Sequence, residues 1–162
     1  MLIIAYIAFG SNLGDKNKHC SDAIQMIKNL PGCKIEEQSP FFSTAPVGMK
    51  DQDWFVNGVI SVKTGLSPHK LISQLHEIET KLGRVRVQKW GPRVIDLDII
   101  FFGKEVIHKN GLIIPHPLMH LRKFVLVPMT KISPDLIHPL LGQTMVELLK
   151  GLENDDQAIF SI

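Results

Sequence analysis

Apolar residues change their spacing several times along this chain, and each change marks an element. Residues 2 to 9 are apolar almost without a break, as in a buried strand, and Gly10-Ser11-Asn12 ends the run with a turn. From about Asp15 to Asn29, Ala23, Ile24, Ile27 and Leu30 recur at helical spacing, and Pro31-Gly32 stops the helix. Residues 33 to 44 read as extended, with Ile35, Phe41 and Phe42 as apolar members, and residues 45 to 53 read as a loop. A second strand is predicted over 54 to 64 (WFVNGVISVKT). Ser67-Pro68 then supplies an N-cap and a proline suited to the first helical position. Leu71, Ile72, Leu75, Ile78 and Leu82 form the stripe of that helix, which Gly83 ends. A strand over 94 to 102, a Gly103-Lys104 turn and a short strand over 105 to 108 follow. The remainder is helical in tendency but broken by prolines.

The order β-α-β-β-α-β predicts an α+β protein with a mainly antiparallel sheet and helices packed on one face, and specifically a ferredoxin-like core. A doubly wound sheet fits less well, because helices do not alternate with every strand. Residues 1 to 162 are expected to form a single domain.

Composition changes this picture little, with 44% hydrophobic and 21% charged residues and a net charge of +2. Any electrostatic function must come from local clustering rather than from an overall basic coat. Cys20 and Cys33 lack metal-ligand spacing and are expected as free thiols in a reducing cytoplasm. The apolar start has no basic residue before it and is too short to span a bilayer, so it reads as a strand rather than a leader. A cytoplasmic protein with no membrane association is expected.

Charge is concentrated in KWGPRVIDLDII, residues 89 to 100. In a strand, Asp96 and Asp98 would share one face, about 6.5 to 7 Å apart, while Ile95, Leu97 and Ile99 face the core. Two like charges at that distance repel by roughly 2 kcal/mol at an effective dielectric near 20, so an enclosed face calls for cations. A solvated sheet face is the plain alternative. Immediately upstream lie Arg84, Arg86, Lys89 and Arg93, interleaved with Gly83, Trp90, Gly91 and Pro92 and with no acidic residue. Arginines can grip phosphate oxygens in pairs, and carboxylates with Mg²⁺ are the other half of a phosphoryl-transfer site. No P-loop and no kinase-type glycine motif occurs. The Gly10-Ser11-Asn12-Leu13-Gly14 turn could offer backbone N–H groups to an anion or could simply enter the helix.

Two other classes fit less well. Another metal-dependent nucleotidyl- or glycosyltransferase could use D-x-D, and a ferredoxin-like sheet could bind RNA. The latter wants an aromatic RNP motif that is absent, and no nucleic-acid partner is expected. His116 and His120 have the i, i+4 spacing of a zinc helix, but the Glu of H-E-x-x-H is missing and Pro117 intervenes. His19, His69, His76, His108 and His138 read as ordinary surface or edge residues.

GPRVIDLDII (91 to 100) closely resembles the signature of 6-hydroxymethyl-7,8-dihydropterin pyrophosphokinases, enzymes of folate biosynthesis. AYIAFGSNLGD (5 to 15), STAPVG (43 to 48), FVNGV (55 to 59), GRVR (83 to 86), IPHPLMH (114 to 120) and RKFVLVP (122 to 128) extend the resemblance in family order. It implies a ferredoxin-like core and a reaction that moves the β,γ-diphosphate of ATP onto the pterin hydroxymethyl group, releasing AMP, with two Mg²⁺ ions. Carried over by motif, Asp96 and Asp98 would hold the metals. Arg84, Arg86 and Arg93 would serve the phosphates in catalysis. Glu79, Ile99, His116 and Arg122 would lie about the nucleotide. Thr44, Val47, Gly48 and Asn57 would read the pterin edge, Phe55 and Phe124 would sandwich its ring, and Trp90 would close over the site. The partners implied are these small molecules alone, with the protein acting as a monomer.

Overall fold

The computed structural model describes residues 1–48, 50–84 and 92–162. Its centre is β1 (Ile3–Ser11), which pairs antiparallel with β4 (Phe55–Thr64) on one side and β5 (Asp96–Phe102) on the other. The predicted extended stretch from 33 to 44 is two strands, β2 (Cys33–Gln38) and β3 (Phe42–Thr44), and both pair with β4. Ser39 fills the gap between them. Its N–H donates to the Val59 carbonyl and its Oγ accepts from the Val59 N–H, so β4 keeps its hydrogen bonding where the neighbouring strand breaks.

Helix α1 (Lys16–Lys28) and helix α2 (Pro68–Lys81) begin where expected. Asp15 accepts from the Lys18 N–H and Ser67 from the Lys70 N–H, both at 3.2 Å. Their apolar stripes, including Ile24, Ile27, Leu71, Leu75 and Ile78, pack with Ala5, Ile7, Phe9, Leu97 and Ile99 in one buried cluster.

The expectation of helices on one sheet face only is corrected by the second face. It is covered by α3 (Lys123–Ile132) and α4 (Met145–Lys150), whose Val125, Leu126, Met129, Met145 and Leu148 pack on Val59, Ile100 and Phe101. β4 is apolar on both faces through Val59, Ile60 and Val62, all 0% exposed, so each face of the sheet requires a cover. The proline-broken end of the chain supplies it.

A register shift where β1 passes β5 places Ile99 opposite Ile7 and Phe101 opposite Tyr6. Ile100 is thereby bulged, and it joins Phe101 in the second cluster while Ile99 and Phe102 stay in the first. The predicted strand at 105 to 108 is a hairpin of β6 (Ile107–Lys109) and β7 (Leu112–Ile114). A single 3₁₀ turn, Met119–Leu121, leads into α3. A last strand, β8 (Ile159–Ser161), lies outside β3, where the apolar pattern predicts none. Cys20 and Cys33 are free. Among the described residues no helix is long and apolar enough to cross a membrane.

Candidate active site

Where the sheet emerges from under α3, neighbouring strands set out a row of polar and small residues. Asp98 stands opposite Ala8, Asp96 opposite Gly10, and Gly10 opposite Asn57. Residues directly opposite in an antiparallel pair share a face, so the two aspartates, Ala8, Gly10 and Asn57 all look into one pocket. Alternation along β5 sends Ile95, Leu97 and Ile99 to the other side, where they are buried at 0%, 1% and 4% exposure. Phe55, Thr44, Ala45 and Val47 form one end of the pocket, and His116, Arg122, Phe124 and Val125 close it from above.

The polar end is tightly fixed. Asn57 donates through Nδ2 to Thr44 Oγ1 at 2.6 Å, and both residues are buried. A Cβ on Gly10 would lie 2.2 Å from Asn57 Oδ1, so glycine is what lets the amide lie across β1. Gly58 serves the ring of Phe9 in the same way, with a Cβ there 2.3 Å from Phe9 Cζ.

The charged end is organised by arginines. Arg84 Nη1 donates to Glu79 Oε2 at 2.6 Å and to Asp96 Oδ1 at 2.7 Å. Arg93 Nη1 donates to the other Asp96 oxygen at 2.7 Å. Glu79, 2% exposed on α2, also accepts from the Leu97 N–H at 2.8 Å, which ties the helix to β5 behind the pocket. Asp96 is therefore doubly compensated, whereas no ion pair holds Asp98 among the described residues. Burial, followed by the charges of Asp96 and Glu79, pushes the Asp98 carboxyl up to about 7. An under-compensated carboxylate beside a second one is a donor set that suits a hard divalent cation.

Burial and the nearby Arg122 guanidinium push His116 down to about 4. Its Nδ1 accepts from the Leu118 N–H at 3.2 Å, which leaves Nε2 carrying the proton of the neutral ring. Arg122 lies 5.4 Å from the centroid of the Phe124 ring.

Asn12, to which no sequence motif assigns a role, joins the two loops that flank this pocket. Its Nδ2 donates to Gln52 Oε1 at 2.9 Å and to the Asp53 carbonyl at 3.1 Å. Its Oδ1 accepts from the Arg93 N–H at 2.8 Å, and its own N–H donates to the Arg93 carbonyl. The turn at Gly10-Ser11-Asn12 thus works through a buried side chain, at 1% exposure. An amide directly after a buried strand is the available signal, because it must find partners.

Of the expected residues, Thr44, Val47, Phe55, Asn57, Arg93, Asp96, Asp98, His116, Arg122 and Phe124 line the one pocket. Arg84 and Glu79 stand behind Asp96. Gly48 is exposed and does not line it, and the Ile99 side chain is in the core on the opposite sheet face. Arg86 and Trp90 lie outside the described residues. His138, expected at the surface, is 4% exposed; its Nδ1 accepts from the N–H groups of Leu140 and Leu141, which closes a turn. Ala8, Phe9, Gly10, Ala45, Ile100 and Val125 also line the pocket; they fall within the quoted motifs, but no role is assigned to them there, since small and apolar side chains carry no chemical signal of their own.

Residues 6–134 match the family model described as 7,8-dihydro-6-hydroxymethylpterin-pyrophosphokinase. The chain is 42% identical over 149 residues to the 2-amino-4-hydroxy-6-hydroxymethyldihydropteridine pyrophosphokinase of Haemophilus influenzae, covering 92% of each. It is 40% identical over 149 residues to the protein of the same name from Methylorubrum extorquens, covering 92% of this chain and 93% of that one. It is also 42% identical over 151 residues to the folic acid synthesis protein fol1 of Pneumocystis carinii, of which it spans only 20%. In fold it resembles the wild-type Plasmodium falciparum HPPK-DHPS solved with pteroate, with a TM-score of 0.77 and 15% identity, covering 96% of this chain and 44% of that one.

Proposed function

The chain belongs to the 7,8-dihydro-6-hydroxymethylpterin-pyrophosphokinase family, and from that premise we propose that it transfers the β,γ-diphosphate of ATP to 6-hydroxymethyl-7,8-dihydropterin and releases AMP. The observation that carries this reading is one pocket with two chemically distinct ends. One end holds two aspartates among arginines, and the other holds a fixed buried amide beside a pair of aromatic rings.

Asp96 and Asp98 hold Mg²⁺, two ions in this reading, and the metal supplies charge neutralisation on the phosphate oxygens when bound. Arg84 and Arg93 neutralise the triphosphate, exchanging part of their contact with Asp96 for phosphate oxygens. His116, neutral and protonated on Nε2, donates to the nucleotide without adding charge, and Arg122 supplies a further cation. At the other end Asn57 and Thr44 read the hydrogen-bonding edge of the pterin, and Phe55 and Phe124 hold its ring between them. The pterin hydroxyl oxygen forms a bond to the β-phosphorus as the bond from that phosphorus to the AMP oxygen breaks, and the hydroxyl proton is released to solvent. Positioning and preorganised charge are the main catalytic terms. Arg86 and Trp90 belong to this proposal through the motif alone.

The strand order β5-β1-β4 with β2 and β3 both on β4, and the β-α-β-β-α-β sequence, support a ferredoxin-like core within one domain spanning the chain. Incubation of the protein with ATP, Mg²⁺ and the hydroxymethyl dihydropterin should yield AMP and the pterin diphosphate in equal amounts. Folded protein that forms no AMP would refute the proposal.

A further inference from the structure

We infer that Gln157 is a positioning residue that sets the width of the pterin slot, acting as the central tie of a strap made by the last strand and the residues leading into it. This rests on the pterin reading of the pocket.

The pocket walls come from chain segments with no direct covalent reason to keep a fixed separation. One wall is β3 and the residues after it, which carry Thr44 and Ala45. The other is the start of α3, which carries Arg122, Phe124 and Val125. Residues 155 to 161 touch both. Toward the first wall, β8 pairs with β3 through Thr44 and Ile159, and the Ala45 N–H donates to the Ala158 carbonyl at 3.0 Å. Phe160 stacks on Trp54, which directly precedes Phe55, with centroids 5.9 Å apart and planes at 13°.

Toward the second wall, Gln157 meets the helix end from outside. Arg122, at the N-cap of α3, makes no side-chain capping bond. Gln157 Oε1 accepts from the Lys123 N–H at 3.0 Å, and its Nε2 donates to the Leu121 carbonyl at 2.9 Å. One amide thus satisfies an orphan donor of the helix and grips the turn before it. Lys123 Nζ returns the contact by donating to the Asp155 carbonyl at 2.6 Å. The residue next to Gln157 is already bonded to Ala45, so two adjacent residues join one wall to the other with almost no slack.

A ring sandwich depends on the gap between its faces, because dispersion contacts fall away steeply over a fraction of an ångström. Loss of the Gln157 tie therefore weakens the pterin more than the nucleotide. Gln157 touches neither substrate in this account and acts through Phe124 and Thr44.

The test uses the full chain, with pterin and Mg-ATP-analogue affinities measured separately by calorimetry and with melting temperature as a control. Gln157→Ala should raise the pterin Kd about tenfold, equivalent to about 1.4 kcal/mol. It should move the nucleotide Kd less than threefold and leave kcat at saturating pterin within threefold. Gln157→Glu keeps an acceptor for the Lys123 N–H and should recover most of the affinity. Phe160→Ala, an exposed change on the other side of the strap, should raise the pterin Kd about threefold. An unchanged pterin Kd in Gln157→Ala would overturn the inference, whatever Phe160→Ala does. So would equal weakening of both ligands in step with a lower melting temperature. Failure of the wild-type protein to bind the pterin at all would instead overturn the function proposed above.

Discussion

Gly10→Ala tests the geometry of the polar end most directly. The added Cβ would sit 2.2 Å from Asn57 Oδ1 and 3.3 Å from its Cγ, whereas the next backbone atom, the Val56 carbonyl oxygen, is at an ordinary 3.6 Å. The backbone need not move, but the amide must. Asn57 is 8% exposed and spends its Nδ2 on Thr44 Oγ1, so displacement breaks a buried bond. An orphaned buried polar group costs about 1–3 kcal/mol. In a chain of 162 residues, about 2 kcal/mol corresponds to a melting temperature lower by about 4–8 °C. The pterin Kd should rise about 10- to 100-fold, because the group proposed to read its edge has been pushed aside. Calorimetric titration and thermal melting of Gly10→Ala, Asn57→Ala and the double variant separate the two effects. The double variant should melt above the sum expected from the singles, since the clash is with the removed side chain, yet it should still bind pterin poorly. Wild-type pterin affinity in Gly10→Ala would refute this reasoning, as would strict additivity of the three melting temperatures.

Asp96→Asn and Asp98→Asn should leave the fold intact and lower turnover at least ~100-fold, measured as AMP release, and retained activity in both would move the metal site elsewhere. Because Asp98 sits at about 7 without a cation, Mg²⁺-nucleotide binding near pH 7 should release protons. Calorimetry in buffers of different ionisation enthalpy reads this release, which should shrink in Asp98→Asn; an unchanged release would place the titrating group elsewhere. His116 has a folded value near 4, below its ordinary 6.5, so its contribution to stability is complete above pH 6.5 and is lost as the pH falls toward 4. Urea midpoints at pH 7 and pH 4.5 should differ less in His116→Gln than in the wild-type protein, and an equal drop in both would remove His116 as a cause.

Local pattern is enough for the elements that carry the chemistry. The period-two alternation of IDLDII alone separates Asp96 and Asp98 from Ile95, Leu97 and Ile99, because successive strand side chains must point to opposite faces. Ser67-Pro68 and the leucine stripe after it place α2, and with it Glu79, because caps and a 3.6-residue period are properties of a short segment. The family motifs go further and assign Thr44, Asn57, Asp96 and Phe124, from well-separated stretches of the chain, to a single site.

Tertiary structure decides what depends on two distant segments at once. No local rule says that Gly10 must be small because Asn57, 47 positions on, lies across it, or that Asn12 finds Arg93 and Gln52. Helices on the second sheet face, the bulge at Ile100 and the strap through Gln157 have the same origin. Each is set by what is packed against it, and packing partners are a property of the folded chain rather than of any window along it.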